Sequence, residues 1–434
     1  MSRAAFKGGV HPAGRKEATS GKPIEVMPVP ARLVVPMSQH LGAPCEPTVE
    51  VGDRVVRGQV IGAADAMVNA PIHSPVSGEV SAIGPTLTTG GTRVTAVTIT
   101  PDETQDLESF ERVVAEGGVP DIVRAAGVVG MGGATFPSAV KLRPPNGMQI
   151  TTLILNGCEC EPFLTCDDRL MVEMPERVIA GARIMAETVG ATRVVAGIED
   201  NKPEAIAAMR EAGRPAGVEV LGLVTRYPQG AEKQLIWAIM GVEVPHGQLP
   251  AATGALVHNV ATAAAVADAV ERGKPLTERV VTVTGRVARP GNYRVLIGTL
   301  VSDLLEHAGG TVGQIGRIIA GGPMTGQALA ALDVPVTKGT SGIVVLGPDE
   351  TAPDIHDDQP CIRCGRCPEA CPMYLEPYAI ANYAYRRDWT AAEAFHPIDC
   401  IECGVCSYVC PTKRPLLQLI RLAKATAMQK GAKL

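Results

Sequence analysis

Two phrases near the end of the chain, CIRCGRCPEACP and CIECGVCSYVCP, restrict its fold more than any other feature. The first holds Cys361, Cys364, Cys367 and Cys371, and the second Cys400, Cys403, Cys406 and Cys410, each spaced C-x2-C-x2-C-x3-C-P. Two-residue gaps let three thiolates of one loop reach three irons of a cubane, while the fourth cysteine reaches the neighbouring cluster. The spacing predicts two [4Fe–4S] clusters, one on Cys361, Cys364, Cys367 and Cys410, the other on Cys400, Cys403, Cys406 and Cys371. A pair of zinc sites is the alternative. Zinc takes its four ligands from two C-x2-C pairs, which leaves a third, regularly spaced cysteine without a role. The intervening YLEPYAIANYAYRRDWTAAEAFHPID predicts two helices that cover the clusters.

The remaining cysteines are Cys45, Cys158, Cys160 and Cys166. The opening MSRAAFKGGVHPAGRKEATS has no apolar run of the export type, so ligation rather than disulfide formation is expected for the eight clustered cysteines. The longest apolar stretch, residues 261–270, carries Asp268 and is too short to span a membrane. These features predict a soluble or peripheral, cytosolic protein. A net charge of −5 argues against a general nucleic-acid binder. With 434 residues, 46% hydrophobic and 20% charged, the chain divides into several globular units. Aromatics make up only 3%, so the cores must rest on Val, Ile, Leu and Ala.

The expected architecture is multi-domain, mixed α/β and α+β. Residues 1–30 read as an irregular arm. Residues 31–100 alternate apolar and polar positions between glycine turns, as in VGDRVVRGQVIG and SPVSGEV, which predicts a β-sandwich. It resembles the lipoyl-type hybrid, but the tip Ala64-Asp65-Ala66-Met67-Val68-Asn69 has no lysine, so a swinging-arm role is rejected. Residues 101–275 begin with an acidic linker and continue as alternating strands and helices, an α/β domain on a largely parallel sheet. Residues 276–348 place two strands around the turn Arg289-Pro290-Gly291-Asn292 with a helix after, and resemble the β-grasp-like SLBB module. An acidic, proline-bearing linker then leads into residues 349–434, the ferredoxin-like two-cluster α domain and a basic tail.

Gly130-Met131-Gly132-Gly133-Ala134-Thr135-Phe136-Pro137, followed by Lys141, precedes the apolar strand TTLILN. Glycines let a backbone approach a phosphate or a flavin ring, and a lysine adds charge. The stretch fits neither the dinucleotide fingerprint nor a P-loop, and a glycine-rich structural turn is the plain alternative. After the strand come Asn156-Gly157-Cys158-Glu159-Cys160-Glu161-Pro162 and then Asp167-Asp168-Arg169, at the end of a sheet strand where ligands usually sit. Glu159 and Glu161 suit ribose or carboxamide hydrogen bonds, or else cap nearby amides.

GMGGATFPSAVKL resembles the GRGGAGFPTGLKW loop of the flavin subunit of respiratory complex I, and NGCECEP resembles its NADEGEP. YPQGAEK is similar to its YICGEET, and His258-Asn259-Val260-Ala261-Thr262 to its NNVET. With the opening FKGGVHP, the lysine-free sandwich and the two-cluster tail, the whole chain resembles the RnfC family. These are NADH-side subunits of ion-translocating ferredoxin:NAD oxidoreductase (Rnf) complexes. The resemblance implies non-covalent FMN with NAD(H) stacked over it for hydride transfer, which needs no side-chain acid or base. It implies that Gly130, Gly132, Gly133, Lys141, Asn156 and Asn259 hold FMN. Phe136, Glu159, Glu161 and Glu232 then line the nicotinamide side. It further implies other subunits as partners, an iron–sulfur protein among them, and a peripheral position on the cytoplasmic face of the plasma membrane.

Met131 stands where the complex I loop has arginine, and Cys158 and Cys160 replace an aspartate and a glycine. Cys158, Cys160 and Cys166 read as small buried fillers, with a metal or redox role as the alternative; Cys45 reads as structural and His73 as a turn residue. In the tail, PLLQLIRLAKATAM has apolar residues at helical spacing, which suits a packed helix or an anionic or partner surface. Two rival readings remain: a soluble flavin and iron–sulfur reductase such as the cobalamin reductases, and a non-catalytic iron–sulfur scaffold with a degenerate flavin site.

Overall fold

The computed structural model describes residues 6–145, 147–351 and 360–429. Most of the acidic linker before the first cysteine, and the last residues of the basic tail, lie outside them.

A β-sandwich follows the arm. One sheet holds Leu33–Pro36, Arg93–Pro101, Gly78–Leu87 and Arg54–Val55; the other holds Glu46–Pro47, Val60–Ala63 and Ile72–His73. Alternation places Leu33, Val35, Ile61, Val80, Val97 and Ile99 in the shared core, fully buried. His73, expected in a turn, instead ends a strand and is buried with neither ring nitrogen partnered. Burial, helped by the nearby Lys338 ammonium, drops its pKa to about 3 and keeps it neutral.

The α/β domain has four parallel strands in the order Glu219–Leu223, Arg193–Glu199, Thr152–Gly157 and Ala255–Asn259. Thr152–Gly157 is central and almost wholly buried, as its run of Leu and Ile requires. The chain leaves it first toward Arg193–Glu199 and later returns on its other side as Ala255–Asn259. The strand order therefore reverses between Thr152–Gly157 and Ala255–Asn259, the place where open sheets leave a crevice. Helices Pro175–Val189 and Val260–Arg272 pack together across one face. A Cβ on Gly181 would sit 1.8 Å from the carbonyl oxygen of Ala263, so only glycine lets these helices approach so closely.

A mixed six-stranded sheet follows, in the order Ile24–Val26, Gly291–Leu296, Glu278–Gly285, Gly342–Leu346, Arg317–Ala320, Gln327–Ala328. Its first strand corrects the reading of residues 1–30 as irregular. Ile24–Val26 pairs in parallel with Gly291–Leu296, and the arm before it is held at several points. Three residues are too short a pattern to read as a strand when the partner lies more than two hundred residues away. Gly291 and Asn292 belong to a strand rather than to the turn, which falls just before them.

The last domain is helical. Pro377–Tyr385 and Trp389–Glu393 fill the segment between the cysteine phrases, and Leu416–Gln429 packs on them through Leu416, Ile420 and Ala423. The tail up to Gln429 is thus a packed helix. Arg421 and Lys424 on it both pair with Glu402.

Candidate active site and cluster sites

The two cysteine loops share one backbone form. Arg363 and Glu402, at equivalent positions, have φ of 55° and 56°, and Gly365 and Gly404 both have φ of 75°. These left-handed residues curl each loop before a short helix begins. Cys371, Cys400, Cys403 and Cys406 line one small space, closed by Pro372, Met373, Val405, Leu417 and Ile420. The fourth cysteine of the first phrase has therefore joined three of the second. In the other group, the Cys367 thiol feels the charges of Cys361 and Cys410, while Cys364 is exposed. Burial pushes Cys400 up to about 11 and Cys403 up to about 12. Four such thiols facing one apolar space suit a cationic cluster core, which takes up the charge of the thiolates. The dry lining tunes the potential of what it holds.

The crevice at the strand reversal opens into a cavity of about 1090 Å³. Gly130, Gly132, Gly133, Phe136, Lys141, Asn156, Glu159, Glu161, Glu232 and Asn259 all line it. At the glycine loop, Gly133 has φ of 120° and open space where a Cβ would stand. That cradle, and a volume just above the roughly 300–1,000 Å³ usual for ligand pockets, fit a flavin with room for a second ligand.

Several of these side chains are already engaged. Lys141 Nζ donates to Glu232 Oε1 at 2.9 Å and to the carbonyl of Val257 at 2.6 Å. Asn156 spans Gly230 O and the amide of Cys158. Asn259 caps helix Val260–Arg272, accepting from the amide of Ala261 at 2.8 Å, and donates to Asp167 Oδ2 at 2.6 Å. Glu159 accepts from the amides of Asp167 and Asp168 at 2.8 and 3.2 Å. These are first-turn amides of helix Cys166–Glu173, whose own Thr165 hydroxyl bonds Thr19 and Asn292 instead. Glu161 reaches across to the six-stranded-sheet domain, accepting from the amides of Met324 and Thr325 at 3.0 and 2.9 Å. Both carboxylates thus cap amides, the plainer of the two roles their position suggested.

Sequence reasoning placed Asp167 at the strand end and Tyr227 within YPQGAEK but gave neither a role. Asp167 is buried within reach of Glu159 and Cys166; burial, then the Glu159 charge, raises its pKa to about 7. Tyr227, in YPQGAEK, lines the cavity and donates its hydroxyl to the carbonyl of Cys403 at 2.8 Å. The signal for it was the motif itself. Cys158 and Cys166 are buried, and burial drives both thiols well up. Cys160 Sγ accepts from the amide of Gly230.

A flavin-sized cavity at the strand reversal and two adjacent four-cysteine groups define an electron-transfer protein of the flavin and iron–sulfur class. Residues 123–268 match the Nuo51 FMN-binding domain, 4–104 the RnfC barrel sandwich hybrid domain, 280–328 the SLBB domain and 353–412 a 4Fe-4S dicluster domain. The chain is 46% identical over 431 residues to a subunit of the proton-translocating ferredoxin:NAD(+) oxidoreductase complex of Clostridium ljungdahlii, covering 97% of this chain and 93% of that one. It is 42% identical to its counterpart in the Na(+)-translocating complex of Acetobacterium woodii, covering 98% and 97%. It is 45% identical to the counterpart in the ion-translocating oxidoreductase complex of Rhodobacter capsulatus, covering 99% and 84%. The chain belongs to the RnfC family of ferredoxin:NAD(+) oxidoreductase subunits. An NAD+-reducing [NiFe]-hydrogenase in the H2-reduced state shares the fold over 71% of this chain and 62% of that one, with a TM-score of 0.51 and 22% identity. Among the described residues no helix is long and apolar enough to cross a membrane.

Proposed function

We propose that this chain is the peripheral, cytoplasm-facing electron-input subunit of a membrane-bound Rnf-type complex, linking NAD(H) to an iron–sulfur partner protein. Bound FMN supplies hydride acceptance and one-electron release. The chain's own residues bind and orient. Glycines 130, 132 and 133 let the backbone come close, Lys141 offers a cation beside Glu232, and Asn156 and Asn259 fix the strand ends that frame the cavity. Phe136 and the Glu159 and Glu161 loop form the wall against which a nicotinamide would lie.

One observation supports the route most directly. Cys403 and Ile401 line both the large cavity and the small space among Cys371, Cys400, Cys403 and Cys406. That cysteine set is the nearer receiver of electrons from the cavity. The set with exposed Cys364, flanked by exposed Ile362 and Arg363, faces the partner. Cys400→Ser and Cys364→Ser test this order. After rapid mixing with NADH, electron paramagnetic resonance should show the nearer cluster reduced in C364S. In C400S, reduction of the outer cluster should be slowed by about tenfold or more, a barrier increase of about 1.4 kcal/mol. An outer cluster reduced at the wild-type rate in C400S contradicts the order.

A further inference from the structure

The loop 158–164 forms the cavity wall, yet three of its carbonyls are gathered on a cation from elsewhere in the chain. Lys16 Nζ, from the N-terminal arm, donates to the carbonyls of Glu159 and Glu161, each at 2.9 Å, and to that of Leu164. Glu159, Glu161 and Leu164 line the cavity, so this ammonium is bonded directly to the backbone of its wall. The loop adopts conformations that L residues avoid, with φ of 44° at Glu159 and 71° at Phe163. Lys202 Nζ, buried, holds the next carbonyl, that of Cys158, at 2.7 Å.

The arm is fixed on both sides of Lys16. The amide of Phe163 donates to Gly14 O at 2.7 Å. Upstream, Val10 and Tyr227 exchange backbone hydrogen bonds, and the amide of Gly9 donates to Ala370 O at 2.8 Å, beside the cluster cysteine Cys371. One strap thus ties the cavity wall, the tyrosine that reaches Cys403, and the nearer cluster loop.

We infer that Lys16 is a positioning residue for the electron-transfer site: it holds the flavin-facing loop 158–164 in place and puts a fixed positive charge behind it. The inference rests on the flavin reading of the cavity. A reduced flavin is more negative than an oxidised one, and a preorganised cation behind its wall favours the reduced form. Burial lowers the Lys16 pKa, and the facing Glu159 and Glu199 carboxylates oppose that shift; an ammonium held by carbonyl dipoles needs no rearrangement when that negative charge arrives. Lys16 lies outside every sequence motif of the flavin region, and its role follows only from the path of the arm.

Lys16→Met removes the charge while keeping much of the side-chain volume. The variant should retain wild-type iron content, bind FMN about tenfold more weakly or worse, as loss of hydrogen bonds from a charged donor implies, and shift the flavin potential to more negative values. Lys16→Arg should restore most of the potential. Wild-type FMN affinity and an unshifted potential in K16M overturn the inference. Wild-type protein that binds no FMN overturns the flavin reading and the inference with it. If K16M does not accumulate, amide exchange on the wild-type protein decides. Adding FMN to flavin-free protein should protect residues 159–165 and 14–18 together. Protection of the loop without the arm contradicts the strap.

Discussion

Replacing Glu161 by alanine should loosen the contact between the flavin-domain wall and the six-stranded-sheet domain. The carboxylate receives two backbone amides, from Met324 and Thr325, and the Thr325 hydroxyl at 2.5 Å. Burial pushes its pKa up, so part of the gain from these bonds is offset by desolvation. Three bonds at about 1–1.5 kcal/mol net each, less that offset, give a loss of about 2–4 kcal/mol for E161A. E161Q keeps one good acceptor but turns an NH2 group toward an amide donor, and should lose about 1–2 kcal/mol. The geometry supplies an internal control. A Cβ on Gly322 would lie 2.2 Å from Glu161 Oε2, 2.5 Å from its Cδ and 2.6 Å from its Cβ. G322A should therefore destabilise the wild type more than it destabilises E161A, where only the Cβ contact survives, a coupling that a double-mutant cycle reads directly. The clamp also bears on the clusters: a Cβ on Gly404 would meet Met324 O at 2.5 Å. Chemical denaturation followed by loss of the cluster absorbance compares the wild type, E161A, E161Q, G322A and the E161A/G322A double variant. Additive G322A and E161A effects, or an E161A variant that changes only the KM for NADH, refute the clamp and return Glu161 to the nucleotide.

Other outcomes follow from the cavity wall. Lys141→Met removes the cation held by Glu232 and Val257 O; FMN affinity, read by fluorescence quenching, should fall about tenfold or more, whereas an unchanged Kd would leave Lys141 to its protein partners alone. Asp167 carries a folded-state pKa of about 7 against 3.8 for the free group. Between those values the folded chain keeps a proton that the unfolded chain has lost, so this group's contribution to stability is fully present at the acid end and is lost as pH rises toward 7. Flavin-free wild type should lose stability through this group as pH rises toward 7; D167N should show a flatter profile, and identical slopes would contradict the assignment.

The parts legible in the sequence were those whose signal is local. Cysteine spacing, the apolar strand TTLILN and the glycine loop each carry their meaning within a dozen residues, and every flavin-region residue singled out lines one cavity. What was not legible depends on distant partners. Ile24–Val26 is a strand only because Gly291–Leu296 offers an edge. A strand-end carboxylate can serve a ligand or an amide equally well, so the amides that Glu161 accepts from, those of residues 324 and 325, were not legible. Glu159 replaces a cap that Thr165 does not provide, since the Thr165 hydroxyl is drawn to Thr19 and Asn292. His73 follows a proline and an isoleucine in a phrase rich in turn residues, yet the sandwich core closes over it.

One chain that joins a flavin site to two cubane clusters must show both chromophores at once. Anaerobic purification with iron and FMN analysis, followed by NADH addition under a visible spectrophotometer, decides whether it does. About eight irons and one FMN per chain are expected, with both flavin and cluster bands bleached by NADH. Eight irons without flavin, and no bleaching on NADH addition, would leave an iron–sulfur scaffold in place of an electron-input subunit.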